Sequence, residues 1–131
     1  MKLFWAIAVG AAAGGVSRFY LASAIQQRLG ASFPWGTLAI NLTGSLLLGF
    51  ILRYALATPA VSLEMRAMLT TGFCGGYTTF STYSYETAVL LEEGQFGRAA
   101  TYSLGSVVLA LLGTFLGFML ARELLAFRQR F

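Results

Sequence analysis

The chain has 131 residues, 57% of them hydrophobic and 11% charged, with nine Lys and Arg against five Asp and Glu and no His. So few charges cannot clothe a soluble domain of this length, and a mean hydropathy of +0.71 points into a bilayer. The net charge of +4 is scattered over segment ends without the clustered basic face that nucleic acid requires, and the lone Cys74 permits no internal disulfide.

Four apolar segments, each close to the roughly 20 residues a span needs, predict one all-α integral-membrane domain of four transmembrane helices. The first covers about residues 3–25. Its opening, M-K-L-F-W-A-I, mimics a signal peptide, but the run is long and no soluble mature protein follows, so it is expected to be retained. Gly10 and Gly14 share a face and allow close helix contact. Arg18 is costly at depth, so it either faces protein or a vestibule, or snorkels to the interface. A short polar turn over residues 26–34 leads to Trp35, a suitable interfacial side chain.

The second segment, about residues 36–57, carries Thr37, Asn41 and Ser45 at intervals of four, a polar stripe on one helical face. Asn41 is the informative member, because a carboxamide in the bilayer needs hydrogen-bond partners, whether for function or for helix packing. Thr37 and Ser45 carry less, since hydroxyls satisfy themselves on the preceding turn.

The third segment, about residues 67–91, contains G-F-C-G-G-Y-T-T-F-S-T-Y-S-Y at 72–85. Its stretch Gly75-Gly76-Tyr77-Thr78-Thr79 is poor helix material, with adjacent glycines and competing hydroxyls. A helix broken at membrane depth must be buried in protein or line a wet cavity, and such breaks commonly turn freed carbonyls towards ions. Phe80 and Tyr83, three apart on the resuming helix, share a side, either as packing residues or facing one pathway, where ring edges would approach an anion and ring faces would attract a cation. Glu86 is a carboxylate within this span, either interfacial or at an ion entry.

The fourth segment, about residues 98–127, places Tyr102, Ser106, Ala110 and Thr114 on one face, a hydroxyl track interrupted at Ala110; alone, such a track reads as helix packing. Gly113 and Gly117 form a second small-residue pair, and the chain ends in a basic interfacial tail. Lys2, Arg53, Arg66, Arg122, Arg128 and Arg130 fall on the side of both termini, so the positive-inside rule alone places the termini in the cytoplasm. With no His and no Asp, the hydrolytic constellations of intramembrane enzymes are missing, and no enzyme is expected.

Three separated pieces resemble the Fluc (CrcB-type) fluoride channels: G-G-V-S-R-F-Y at 14–20, G-T-L-A-I-N-L-T-G-S at 36–45 and G-F-C-G-G-Y-T-T-F-S-T-Y at 72–83. With length and four spans, the resemblance covers essentially the whole chain. It implies an antiparallel, dual-topology homodimer, multi-pass in the cell inner (plasma) membrane, with the third helix broken mid-membrane. Two fluoride pores would run along the interface of the homodimer around one structural sodium ion. Position by position it assigns Asn41, Phe80, Tyr83, Ser81, Thr82, Tyr102, Ser106 and Thr114 to the pore. Arg18, Thr37 and Glu86 become vestibule residues, and Gly75 and Thr78 offer main-chain carbonyls to sodium. Tyr83 departs from the family's commoner phenylalanine, and Ala110 replaces an expected hydroxyl. The implied function is passive export of cytoplasmic fluoride across the lipid bilayer, and hence fluoride resistance. The alternatives are a small multidrug-resistance-type proton-coupled exporter, which would want a glutamate in the first span, and a non-conducting assembly subunit.

Overall fold

A computed structural model describes residues 1–130; Phe131, the last residue of the basic tail, lies outside them. The described residues form helices and connecting turns, with no strand among them. The first helix, α1 (Lys2–Leu29), continues past the expected end at residue 25 and stops where Gly30 takes φ 90, a left-handed geometry that glycine adopts without a Cβ clash. After a short turn, α2 (Trp35–Leu56) begins directly behind Pro34. The last helix, α6 (Phe96–Arg128), follows a turn at Gly94, where φ is 71. Among the described residues α1, α2 and α6 are the three helices long and apolar enough to cross a membrane.

Between α2 and α6 the chain is assembled from pieces. Ser62 caps α3 (Leu63–Ala67) by accepting the Met65 N–H at 3.1 Å. A π-helical stretch, Met68–Cys74, continues it into α4 (Gly75–Tyr77). Thr78 (φ −87, ψ 162) and Thr79 (φ −152, ψ 122) are then extended, and helix resumes as α5 (Phe80–Glu92). The loss of helical geometry thus falls on the two threonines and not on the glycine pair, since Gly75 and Gly76 lie inside α4.

Glycine here serves close approach more than flexibility. A Cβ on Gly76 would lie 2.6 Å from the Ala11 carbonyl, and Gly10 and Gly14 bring α1 against the backbone of Met68 and Phe73. On the other flank, Gly113 and Gly117 of α6 rest against Leu42, Leu46 and Phe50 of α2. These small-residue contacts let backbones touch where lipid supplies no hydrophobic drive between helices. Leu90, Ala99 and Tyr102 form a compact buried cluster against Phe33, Leu38 and Tyr83. Phe4, Trp5, Phe19, Phe115 and Met119 point outwards, as a lipid-facing surface requires.

Candidate functional site

The extended pair Thr78–Thr79 is the centre from which the site is built. The Thr78 N–H still reaches the Cys74 carbonyl at 3.0 Å, but beyond it the extended backbone leaves groups that must find partners elsewhere when water is excluded. Asn41, on the polar stripe of α2, takes both groups of Thr79: its Nδ2 donates to the Thr79 carbonyl at 3.0 Å, and its Oδ1 accepts the Thr79 N–H at 2.8 Å. The carboxamide therefore pairs with one residue as a neighbouring β-strand would. This pairing also fixes its orientation, leaving the second Nδ2 proton as the group available to a visitor. From α1, Arg18 Nη1 donates to the Thr78 carbonyl at 3.2 Å. Thr79 completes the turn with its hydroxyl, which accepts the Thr82 N–H at 3.1 Å and caps α5.

Two cavities meet at this pair, and a third lies beyond them. The first, about 270 Å³, is lined by Asn41, Thr78, Thr79, Phe80, Tyr83 and Ser106. The Phe80 and Tyr83 rings lie 5.5 Å apart at a tilt of 41°, and Tyr83 continues to Tyr102 at 5.3 Å. Ser106 is buried, and its Oγ has no hydrogen-bond partner. A hydroxyl left unpaired in a buried wall is destabilising, so this one would gain from a hydrogen-bond partner. The second cavity, about 410 Å³, is lined by Arg18, Thr37, Thr79, Thr82 and Glu86 among others. Thr79 is thus the wall between the two. A third, about 350 Å³, opens towards Arg98 and Glu93 and shares Glu86 with the second.

Glu86 is held at both oxygens. Thr37 Oγ1 donates to Oε1 at 2.8 Å, and the buried Tyr102 hydroxyl donates to Oε2 at 2.6 Å. Hydrogen bonds from two hydroxyls to a carboxylate are of the strong, charge-assisted kind. Residues named from three separate segments are brought to one carboxylate by this arrangement.

Other residues singled out in the sequence lie apart. Ser81 is exposed, its hydroxyl 3.2 Å from that of Thr79, and it lines none of the three cavities. Thr114 donates to the Ala110 carbonyl of its own turn at 3.0 Å and packs α6 against Gly49 of α2, while Ala110 is the residue that reaches the first cavity. Two residues were not singled out. Thr79 is one, although a Thr standing immediately before F-S-T-Y is a helix-cap signal. Gln26 is the other, and no local pattern marks it.

Among the described residues no group of His, Cys, Asp or Glu could hold a metal ion. The oxygens at the interruption are of another kind. The Thr79 N–H, which in a continuous helix would serve the Gly75 carbonyl, goes to Asn41 instead. Gly75 is exposed, and the Thr78 carbonyl retains a lone pair beside its bond to Arg18. Neutral main-chain oxygens are ligands a hard cation accepts, so the donor set fits sodium chemistry.

A family model described as CrcB-like protein, Camphor Resistance (CrcB) matches residues 5–118. A Geobacter sulfurreducens protein named fluoride-specific ion channel FluC is 51% identical over 124 residues, covering 95% of this chain and 100% of its own. Proteins of the same name from Aquifex aeolicus and Thermus thermophilus are 45% and 44% identical over 124 residues. Each covers 95% of this chain, with 100% and 98% of their own lengths.

Proposed function

The chain belongs to the CrcB-like family, and from that membership we infer that it is a fluoride-selective passive channel, a multi-pass membrane protein and not an enzyme. The observation that carries this reading is the first cavity. It sets the spare amide proton of Asn41, the unpartnered Ser106 hydroxyl and the rings of Phe80 and Tyr83 around one space. Fluoride is strongly hydrated, so a narrow path must replace lost water with donors and positive ring edges. Hydroxyl and amide protons do that without a fixed positive charge that would hold the ion.

The pathway proposed here runs past Arg18, Thr82 and the Thr37–Glu86–Tyr102 group into the cavity of Asn41, Phe80, Tyr83 and Ser106. Arg18 keeps N–H groups beyond the one on Thr78, and these face a cavity where an anion would gather. Fluoride that enters an acidified setting as neutral HF ionises in the more alkaline cytoplasm, and the channel lets it leave down its gradient. No coupled ion or ATP is required. The resulting role is fluoride resistance at the inner (plasma) membrane.

Two copies in antiparallel orientation are proposed to make the complete protein. The support is that the helix ends on either side of the interruption reach the outer surface of one chain, while Thr78 is half-buried and Thr79 buried. Phe80 is 78% exposed, and Gly75, Ser81 and Thr82 are exposed as well. Polar side chains and broken helix ends at membrane depth are poorly tolerated against lipid, so a second chain is proposed to cover the surface beside the interruption in this third span. Gly75 and Thr78 carbonyls from both copies would hold a structural sodium ion. When bound, it would supply positive charge to carbonyls that lack helical donors.

Reconstituted protein is expected to release fluoride from liposomes, read by an ion-selective electrode, and to discriminate strongly against chloride. Comparable efflux of both halides would sink selectivity, and no efflux of either would return the chain to a non-conducting assembly role.

A further inference from the structure

Gln26, in the last turns of α1, has no part in the pathway above, yet its carboxamide is fully engaged. Its Nε2 donates to the Gly30 carbonyl at 2.6 Å and to the Phe33 carbonyl at 2.9 Å, and its Oε1 accepts the Gly36 N–H at 3.1 Å. The beginning of α2 lacks a side-chain cap of its own, since Pro34 stands at that position. First-turn N–H groups of a helix need acceptors from outside it. Gln26 supplies one from a neighbouring helix.

The same contact is reinforced one turn earlier on α1. A Cβ on Gly36 would collide with the Ala22 carbonyl, so α1 and the first turn of α2 are in backbone contact. The residue following Gly36 is Thr37, whose hydroxyl holds Glu86 Oε1 at 2.8 Å. Thus α1 fixes the start of α2, and the start of α2 fixes one side of a carboxylate.

A second observation is independent of these bonds. Gln26 and Glu86 are the residues that line both the 410 Å³ cavity of Arg18 and the 350 Å³ cavity of Arg98. They form the partition between an inner and an outer space. An anion crossing it meets the Glu86 carboxylate, so its passage depends on where that carboxylate is held.

We propose that Gln26 is a positioning residue for ion entry: it fixes the first turn of α2 so that Thr37 holds Glu86 at the partition between the two cavities. This rests on the fluoride-channel reading above. Gln26 acts through Thr37, and the two therefore contribute to one hold and not to two.

The test is fluoride efflux from liposomes for Gln26→Met, Thr37→Val and the double variant, with the thermal unfolding midpoint of each in detergent. Met keeps the length of the side chain and removes every hydrogen bond. Each single variant is expected to slow efflux about tenfold, the effect of roughly one hydrogen bond on a barrier. The double variant is expected to be within about twofold of Thr37→Val alone. A merely structural Gln26 would give effects that multiply, with the same loss in either background, and that outcome overturns the proposal. Should Gln26→Met fail to give monodisperse protein, Gln26→Glu keeps the acceptor for the Gly36 N–H while placing a second carboxylate at the partition. It is expected to slow efflux most at low ionic strength, where charge is least screened. At high salt, where the added charge is screened, the retained acceptor is expected to keep efflux within about twofold of wild type, and a roughly tenfold loss persisting there would overturn the proposal. Wild-type protein that passes no fluoride would overturn the channel reading first, and this inference with it.

Discussion

The central helix α2 meets its two neighbours on opposite terms. Against α6 it presents Gly49, and α6 answers with Gly113 and Gly117, so the seam is closed by backbone contact. Thr114, a hydroxyl at that seam, donates to the carbonyl of its own helix at 3.0 Å and reaches the Ser45 carbonyl of α2 only at 3.5 Å. Against the interrupted segment, α2 presents Thr37 and Asn41, and both reach across to partners on residues 79 and 86. That second seam stays open enough for cavities of about 270 and 410 Å³. The contrast teaches where a membrane protein places polarity. Hydroxyls that satisfy themselves locally go to the closed seam, and groups that need distant partners line the open one.

The closed seam should be the easier to destroy. In Gly117→Leu the first added carbon would stand 2.7 Å from the Phe50 backbone nitrogen and closer still to the Leu46 carbonyl. Neither neighbour is a side chain that could swing away. Overpacking of this kind costs about 1–3 kcal/mol or more. We expect little or no monodisperse protein in detergent. Gly105→Ala, on the same helix with nothing within 4 Å of its added carbon, should purify normally. Equal yields of the two variants would mean the seam is not held by backbone contact.

The open seam should respond in function before it responds in folding. Asn41→Asp keeps an oxygen for the Thr79 N–H but loses the N–H that serves the Thr79 carbonyl. It also sets a negative charge beside an anion. Repulsion between unit charges a few ångströms apart is roughly 4 kcal/mol at the effective dielectric of a protein surface. Fluoride efflux should fall more than 100-fold while the protein still elutes as its normal assembly. Unaltered efflux from a well-assembled variant would remove Asn41 from the path.

Gly75 tests what lies outside one chain. Gly75 has ordinary helical angles (φ −65, ψ −37), and an added carbon would find its nearest neighbour in the chain, the Thr70 carbonyl, 3.9 Å away. Harm from Gly75→Val must then come from a covering copy or from a crowded cation. We expect subunit association to weaken roughly tenfold or more. Replacing sodium by a large organic cation should lower wild-type efflux reversibly. Association and efflux at wild-type level in Gly75→Val would count against both the paired interface and the sodium site.

Much of this arrangement was legible in the sequence because it rests on composition and on spacing along one helix. The membrane class followed from hydropathy, and the stripe of Thr37 and Asn41 followed from a four-residue interval. The interruption was placed near residues 75–79, but its position within that range was not readable. A glycine pair signals either a flexible backbone or a close contact, and Gly76 proved to be the second, against Ala11. Capping across the fold is harder still. Gln26 reaches a helix start ten residues on, and Asn41 reaches Thr79 at a separation of 38, so neither pairing leaves a local periodicity. The hydroxyl track on α6 shows the opposite failure. Its spacing puts Ser106 and Thr114 on one face, yet only their surroundings tell an unpartnered hydroxyl from a satisfied one.

That last distinction gives the smallest effect and a fine test of the two seams. Ser106 and Thr114 are two helical turns apart on α6, and both carry one hydroxyl. Ser106 Oγ is buried without a partner in a residue that lines the 270 Å³ cavity, and the proposed pathway assigns its proton to an entering ion. Thr114 Oγ1 already donates to Ala110 at 3.0 Å and lies against α2. Removing the first hydroxyl would take a donor from the proposed path, while removing the second takes a bond within the helix and a long 3.5 Å contact to the Ser45 carbonyl of α2. Ser106→Ala should therefore lower fluoride efflux by about tenfold, as one lost hydrogen bond does. It should leave thermal stability unchanged or raised, because an unpaired buried group is gone. Thr114→Val, close in shape, should change efflux by less than about twofold. Efflux measured side by side at matched protein density decides it: equal losses, or a larger loss from Thr114→Val, would show that the track conducts along its whole length and that the closed seam is part of the pore.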